Sequence, residues 1–442
     1  MNAGKKKIIQ YGIVLIAGPL AGLLALILVF MLPTKPMQEH LYWSLDMIRS
    51  EFTDELLVDG FPATLTGNFT DCLMLQQAVY AGGEHSVWER ALRVYRTESY
   101  YDESDPDGWQ PGRSLVDYMT GVAQPREVEY GRYWHGYLIF LKPLLLVTGF
   151  NSLRLFFSGL QLFLVGICVI LMTRKGMPGL AGAFLVSMPF LYYVSTYASL
   201  SQSVCLYIML AAVILQLLWD DNLYAVEAYG LFFGVVGMAT SYFDLLTYPL
   251  VTLGFPLCVW LYIHGDRPGR NLKKTVLYSA EWAVGYLWMW GAKWVLADVI
   301  TGSSVVQDAL NAVADRAGNA EGYGRVRGFW HVLSLNLDPF LNWGFILLVP
   351  VVALFVLGML WGKRKGVLTR KARGQRALSD RMKDVVPYVF LALYPLGWWF
   401  LAQNHSEEHS IFTCRILAVS VFACAAALGK LADDSGVEQI AG

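Results

Sequence analysis

Long apolar runs separated by short polar connections fill most of this chain, and one long polar stretch near the start breaks the pattern. The runs lie at about 8–32, 153–173, 178–197, 200–219, 224–241, 246–264, 275–299, 340–361, 386–403 and 411–430. Each approaches the roughly 20 residues with which a helix crosses the hydrocarbon core. The pattern predicts an all-α polytopic membrane protein with about ten transmembrane helices. The exception, 33–152, holds 17 of the chain's 35 acidic residues. A bilayer has no structural use for so many carboxylates in one place, so this segment reads as a large first extracytoplasmic loop carrying amphipathic interfacial helices.

One stretch complicates the count. Tyr133–Gly149 is apolar enough to span, but counting it would put Arg174-Lys175 outside and reverse every later loop. It is read instead as lying along the outer interface, with Tyr133, Trp134 and Tyr137 at headgroup level and Lys142 and Pro143 interrupting it. With a cytoplasmic N-terminus, 19 of the 34 Lys and Arg residues then face inward, as the positive-inside rule expects. The organisation that follows is a first helix in 1–32, the outer loop 33–152, and helices two to seven in 153–299. An outer loop at 300–339 comes next, then three helices in 340–430 around a basic cytoplasmic loop at 362–385, and a cytoplasmic tail at 431–442.

Composition supports this class. Hydrophobic residues make up 55% of the chain and charged residues 16%, with a mean hydropathy of +0.43, which argues against a soluble multidomain protein. The apolar run after Lys5-Lys6-Lys7 is too long for a signal-peptide core and no small-residue cleavage site follows it, so it reads as a retained helix. A net charge of −1 excludes the broad basic surface of a nucleic-acid binder. Six cysteines without a C-x-x-C spacing give no metal or redox motif. Aromatic residues, 14% of the chain, read mostly as lipid-facing or interfacial belts.

Three stretches follow one another with suggestive punctuation: Tyr133-Trp134-His135-Gly136-Tyr137, then Gly149-Phe150-Asn151-Ser152-Leu153-Arg154 opening a helix that ends in Arg174-Lys175, then Met188-Pro189-Phe190-Leu191-Tyr192-Tyr193-Val194-Ser195. Together with the large first loop, they resemble the GT-C superfamily of integral-membrane glycosyltransferases, including its protein mannosyltransferase and aminoarabinose transferase branches. Two departures stand out. Thr196-Tyr197-Ala198-Ser199-Leu200-Ser201 replaces the Arg or Glu the family often has after that serine, and Asp71-Cys72 stands where it often has paired acids. The resemblance implies transfer of a sugar from a polyprenyl-phosphate donor to a glycan, lipid or protein acceptor on the outer face. It places His135 among the substrate-binding residues.

Such a transfer needs a carboxylate to take the acceptor proton and cations to neutralise the leaving phosphate. Asp71, where Asn68-Phe69-Thr70 runs into an apolar stretch, is the candidate base; the alternative is a helix cap, and Asp59 is its competitor. Asp244, at the outer mouth of two spans, is a second catalytic candidate or a cation ligand, against a plain turn residue before Pro249. Lys293, interrupting the seventh span about 9 Å from its outer end, and Arg415 are the donor-phosphate candidates. His405, Glu408 and His409 form a polar cluster read as substrate-binding, or as a structural outer cap. Their H-x-x-E-H spacing also matches a zinc-peptidase pattern, but no distant carboxylate ligand follows. No metal or other cofactor is assigned, and a divalent cation is left open. A Cys72–Cys414 disulfide would tie the loop to the last helix.

The expected function is a GT-C-type glycosyltransferase in a bacterial plasma membrane, both termini cytoplasmic and the active face outside. Its partners would be the donor, an acceptor and membrane lipids. The rivals are a transporter or lipid translocase, which would call for inverted repeats and midplane charges, and an inactive scaffold of the same fold.

Overall fold

A computed structural model describes residues 3–99, 109–122, 126–265, 268–345 and 378–433, with 347, 350, 351 and 354. Among the described residues 78% are helical, which satisfies the backbone groups of an apolar chain without water. Among the described residues five helices are long and apolar enough to cross a membrane: Ile9–Phe30, Phe150–Arg174, Leu200–Ala225, Lys383–Leu401 and Ser410–Lys430.

The remaining expected spans depart from the sequence pattern for local reasons. The run at 178–197 breaks into Pro178–Ser187, a tight turn at Pro189, and Tyr193–Ala198, with Tyr192 in the left-handed region at φ 53°. Tyr229–Phe243 and Leu250–His264 have 15 residues each, about 22 Å of helix against a hydrocarbon core of about 30 Å. The run at 275–299 lies within a single 34-residue helix, Pro268–Thr301. Most of 340–361 and of the basic loop 362–385 lies outside the described residues.

Tyr229–Phe243 packs against Pro268–Thr301 at backbone contact. A Cβ at Gly285 would run into the carbonyl oxygen of Gly234, and one at Gly237 into that of Trp282, so the approach depends on small residues. Along the same long helix Trp282, Tyr286, Trp290 and Trp294 recur every four residues, and successive ring centroids stand 4.9, 5.4 and 5.7 Å apart. Trp282, Tyr286 and Trp290 are buried inside the protein, not arrayed as a lipid-facing belt.

The long polar segment after the first helix folds onto the ends of these helices. Its helix Asn68–Val79 is buried at ten of twelve positions, so it is a core helix rather than an amphipathic one lying on the bilayer. It shares a hydrophobic cluster with Leu26 and Phe30 of the first helix and with Trp134 and Leu138. In the ambiguous stretch Tyr133–Gly149 only Leu138–Leu145 is helical, and it buries Leu138, Leu141, Lys142 and Leu145. Two three-residue strands, Arg96–Glu98 and Arg126–Val128, pair antiparallel with Thr97 opposite Glu127.

Candidate functional site

Several of the buried charges sit at the ends of helices. Asp71 is fully buried; its Oδ2 accepts from the Leu200 N–H at 3.0 Å, and its Oδ1 from the Ser201 N–H at 2.8 Å and the Ser201 hydroxyl at 2.6 Å. Leu200 and Ser201 open the helix Leu200–Ala225. The carboxylate therefore caps another element's N-terminus, where orphan N–H groups and the helix dipole both favour it. Arg154 stands 4.0 Å away. Burial pushes the Asp71 carboxyl up, against the pull of Arg154 and of Ser201.

The two buried lysines do the converse. Lys293 donates to the carbonyls of Leu92 and, at 3.4 Å, Ala91, in the last turn of Val87–Arg93. Lys142 donates at 2.6 Å to Ala78 O near the end of Asn68–Val79, and burial pushes its ammonium down to about 7. Both ammonium groups are buried inside the protein. Asp244 closes a turn on itself, accepting from the Thr247 N–H at 2.9 Å and from the Thr247 hydroxyl; burial raises its carboxyl. His135 is locked between the Tyr137 hydroxyl at 2.9 Å and Tyr130 O at 2.8 Å, and burial holds it down to about 3. Asp59 is exposed.

Arg415 is different. Its side chain is 1% exposed, and Nη2 donates to Gln202 Oε1 and, at 3.2 Å, to Ser195 Oγ. Nε and Nη1 are buried without a hydrogen-bond partner, and among the described residues no carboxylate forms an ion pair with it. The rings of Tyr192, Tyr248 and Phe412 surround it with centroids 5.3, 5.4 and 5.6 Å from Cζ. Cation–π attraction offsets part of the missing counter-charge, but a buried guanidinium with open donors is the arrangement a planar, multidentate anion would complete.

The acid that accompanies it is Asp54. Nothing in Glu51-Phe52-Thr53-Asp54-Glu55 marks this residue in the sequence. Folding brings it into the electrostatic range of both Asp71 and Arg415. Its Oδ1 accepts from the Phe69 N–H at 2.9 Å, and the side chain is half-buried rather than sealed. Burial first, and Asp71 after it, raise the carboxyl to about 6, with the Phe69 N–H and Arg415 pulling the other way. Asp54 and Asp71, 17 positions apart in the chain, are thus two acids within electrostatic range of each other.

A second polar group gathers around His405 and His409. His405 Nε2 meets Leu246 O at 3.0 Å, so Nε2 carries the proton and Nδ1 is a buried acceptor without a partner. Its ring stands 4.9 Å from that of His409. Burial, then His409 and Arg316, hold His405 down to about 3, and burial with Arg316 lowers His409. Arg316 ends the helix Val305–Arg316 and stands 5.9 Å over the Tyr133 ring. Tyr133 in turn meets Trp290 edge-on at 5.8 Å. The i, i+4 spacing of Tyr286 and Trp290 was the available signal for this wall. Glu408 is exposed; its neighbour Glu407 takes the local contacts, with His331 at 3.0 Å and the Glu321 N–H at 2.7 Å.

An apolar groove of about 390 Å³ runs between Phe150–Arg174 and Leu200–Ala225, beneath Leu138–Leu145. Met74, Phe157, Leu164, Leu200 and Ile208 line it, with Ser203, Tyr137 and Tyr207 as its only polar side chains. Cys72 and Cys414 are buried free thiols in separate hydrophobic clusters, so the disulfide does not form. Among the described residues no three His, Cys, Asp or Glu side chains gather as metal ligands. Comparisons of the chain with protein-family models, curated proteins and solved structures gave no match, so its functional reading rests on this geometry.

Proposed function

We propose that the protein is a GT-C-type glycosyltransferase that moves a sugar from a polyprenyl-phosphate donor to an acceptor at the outer face of a bacterial plasma membrane. Ten spans, with both termini inside, are the topology that goes with this reading. The observation that carries it is Arg415, a buried guanidinium with open donors and no carboxylate partner. The apolar groove supports a lipid-borne donor, since a hydrocarbon chain is the occupant that a membrane-embedded groove with so little polar lining accommodates.

In this reading the acceptor hydroxyl gives its proton to Asp54, and its oxygen forms the new bond to the anomeric carbon. The bond from that carbon to the phosphate oxygen breaks, and the electron pair leaves with the phosphate, whose charge Arg415 neutralises. Asp54 takes the role of base in place of Asp71, because the Leu200 and Ser201 donors occupy the Asp71 oxygens, whereas Asp54 is half-buried and accepts from the Phe69 N–H through Oδ1. Asp71 and Lys293 become positioning residues that hold the helix ends around the site.

The test is native mass spectrometry of the detergent-purified chain offered a mixed pool of polyprenyl-phosphate sugars. Retention of one glycolipid by the wild type, lost in Arg415→Met and kept in Lys293→Met, is expected. Retention that survives Arg415→Met would overturn the assignment, and no retention in any form would favour the transporter or scaffold readings.

A further inference from the structure

We propose that the chamber at the outer mouth binds a hydroxyl-rich ring carrying one anionic substituent, a carboxylate or a phosphate, and that Arg316 selects for that charge. The proposal rests on the sugar-transfer reading above and names the kind of sugar or acceptor unit that reading leaves open.

Four segments distant in sequence meet here: the first outer loop through Tyr133, the turn at Asp244 to Leu246, the long helix through Tyr286 and Trp290, and the His405–His409 stretch. Their polar groups are unspent. Trp290 Nε1 and His405 Nδ1 are buried without partners. The Tyr133 and Tyr286 hydroxyls make no hydrogen bond among the described residues, and Tyr286 lies within the electrostatic reach of both Asp244 and Arg316. A native protein seldom leaves several donors and acceptors open in one buried place unless something else completes them. Aromatic faces beside a mixed set of donors and acceptors suit a sugar ring, which offers C–H faces and hydroxyls in alternation.

Charge then narrows the class. Both histidines are held neutral by burial and by the nearby guanidinium. Asp244 directs its oxygens to Thr247. Arg316 is half-buried, and among the described residues it has no ion-pair partner. While the Asp244 oxygens are taken up by the Thr247 donors, Arg316 is therefore the cation of this cluster without an ion-pair partner among the described residues. A neutral ring would leave it so, whereas an anionic substituent would form a charge-assisted pair of the strength that Arg gives with carboxylate or phosphate.

The experiment is calorimetric titration of the full detergent-purified chain with glucuronate, glucose 6-phosphate and glucose, for the wild type, Arg316→Gln and Trp290→Phe. At least one acid sugar should bind on the order of 10- to 100-fold more tightly than glucose, the range of one charged hydrogen-bonded pair. The two acids distinguish a carboxylate site from a phosphate site. Arg316→Gln, at a half-exposed helix end, should erase the preference without loss of folding, while Trp290→Phe should weaken every sugar and keep the preference. Equal affinity for glucose, a preference that survives Arg316→Gln, or no sugar binding at millimolar concentration would each overturn the proposal. A chain that retains a polyprenyl phosphate yet ignores all three sugars would overturn it while leaving the transfer reading standing; binding of acid sugars without lipid-phosphate retention would overturn the transfer reading alone.

Discussion

Asp71 and Arg415 are both ionisable and buried where the long polar segment meets the helix bundle, yet their surroundings are opposite. Asp71 has three donors at 2.6 to 3.0 Å and a guanidinium at 4.0 Å. Arg415 has two acceptors, three aromatic faces, and two nitrogens with nothing to bond. The contrast extends outward: each polar side-chain atom of Lys142, Lys293 and His135 has a backbone or tyrosine partner, whereas His405 and Trp290 each keep a buried nitrogen without one. A buried charge in a membrane protein is costly in either case. What separates a structural one from a functional one is whether the fold itself supplies all of its partners.

The sharpest way to break this distinction is at the saturated end. Asp71→Ala leaves the Leu200 and Ser201 N–H groups orphaned and Arg154 without its neighbour, and should cost about 3–5 kcal/mol, read as a large fall in the detergent thermal midpoint. Lys293→Met keeps most of the volume but uncaps Val87–Arg93, for about 1–3 kcal/mol, with glycolipid retention unchanged. Arg415→Met should behave in the opposite sense: the midpoint holds or rises, because an apolar side chain replaces an incompletely paired buried charge, and retention is lost. A large stability loss in Arg415→Met would erase the difference between the two residues.

Acid sharpens the comparison in another way. His135 and His405 titrate near 3 when folded but near 6.5 when unfolded. The unfolded chain therefore takes up protons that the folded chain refuses, and their contribution to stability is complete above about pH 6.5 and falls as pH drops toward 3. Asp54, raised to about 6, runs the other way for stability, being least favourable when ionised above that pH. For activity the ionised form is the useful one, so transfer should rise with pH through about 6, and Asp54→Asn should remove both the activity and that titration. Glu408→Gln, at an exposed position, should change the midpoint by no more than about 0.5 kcal/mol.

The membrane class was legible in the sequence because apolar runs leave a one-dimensional trace, and the acid-rich segment 33–152 leaves another; Arg415 drew attention as a charge at the opening of the last apolar run. The ten spans rest on run length, which does not reveal that Tyr192 breaks one run or that two others form helices of only 15 residues; among the described residues five helices are long and apolar enough to cross a membrane. Asp71 and Lys293 drew attention as charges beside or within apolar runs, but their partners lie 129 and 201 positions away. No local pattern distinguishes a charge that caps a distant helix from one that waits for a ligand. Asp54 went unseen because its neighbours in sequence are ordinary and its neighbours in space are not. The chamber wall did leave a trace, the four-residue spacing of aromatics on Pro268–Thr301, which marks one helix face without saying whether that face meets lipid or protein.

The most direct test of the central claim is a paired measurement on Arg415→Met and Asp71→Asn: thermal midpoint and polyprenyl-phosphate retention in the same detergent preparation. The account predicts that Arg415→Met keeps its midpoint and loses the lipid, while Asp71→Asn loses its midpoint and, where still folded, keeps the lipid. The reverse assignment, with Arg415→Met unfolding and Asp71→Asn folded but unable to retain lipid, would contradict it.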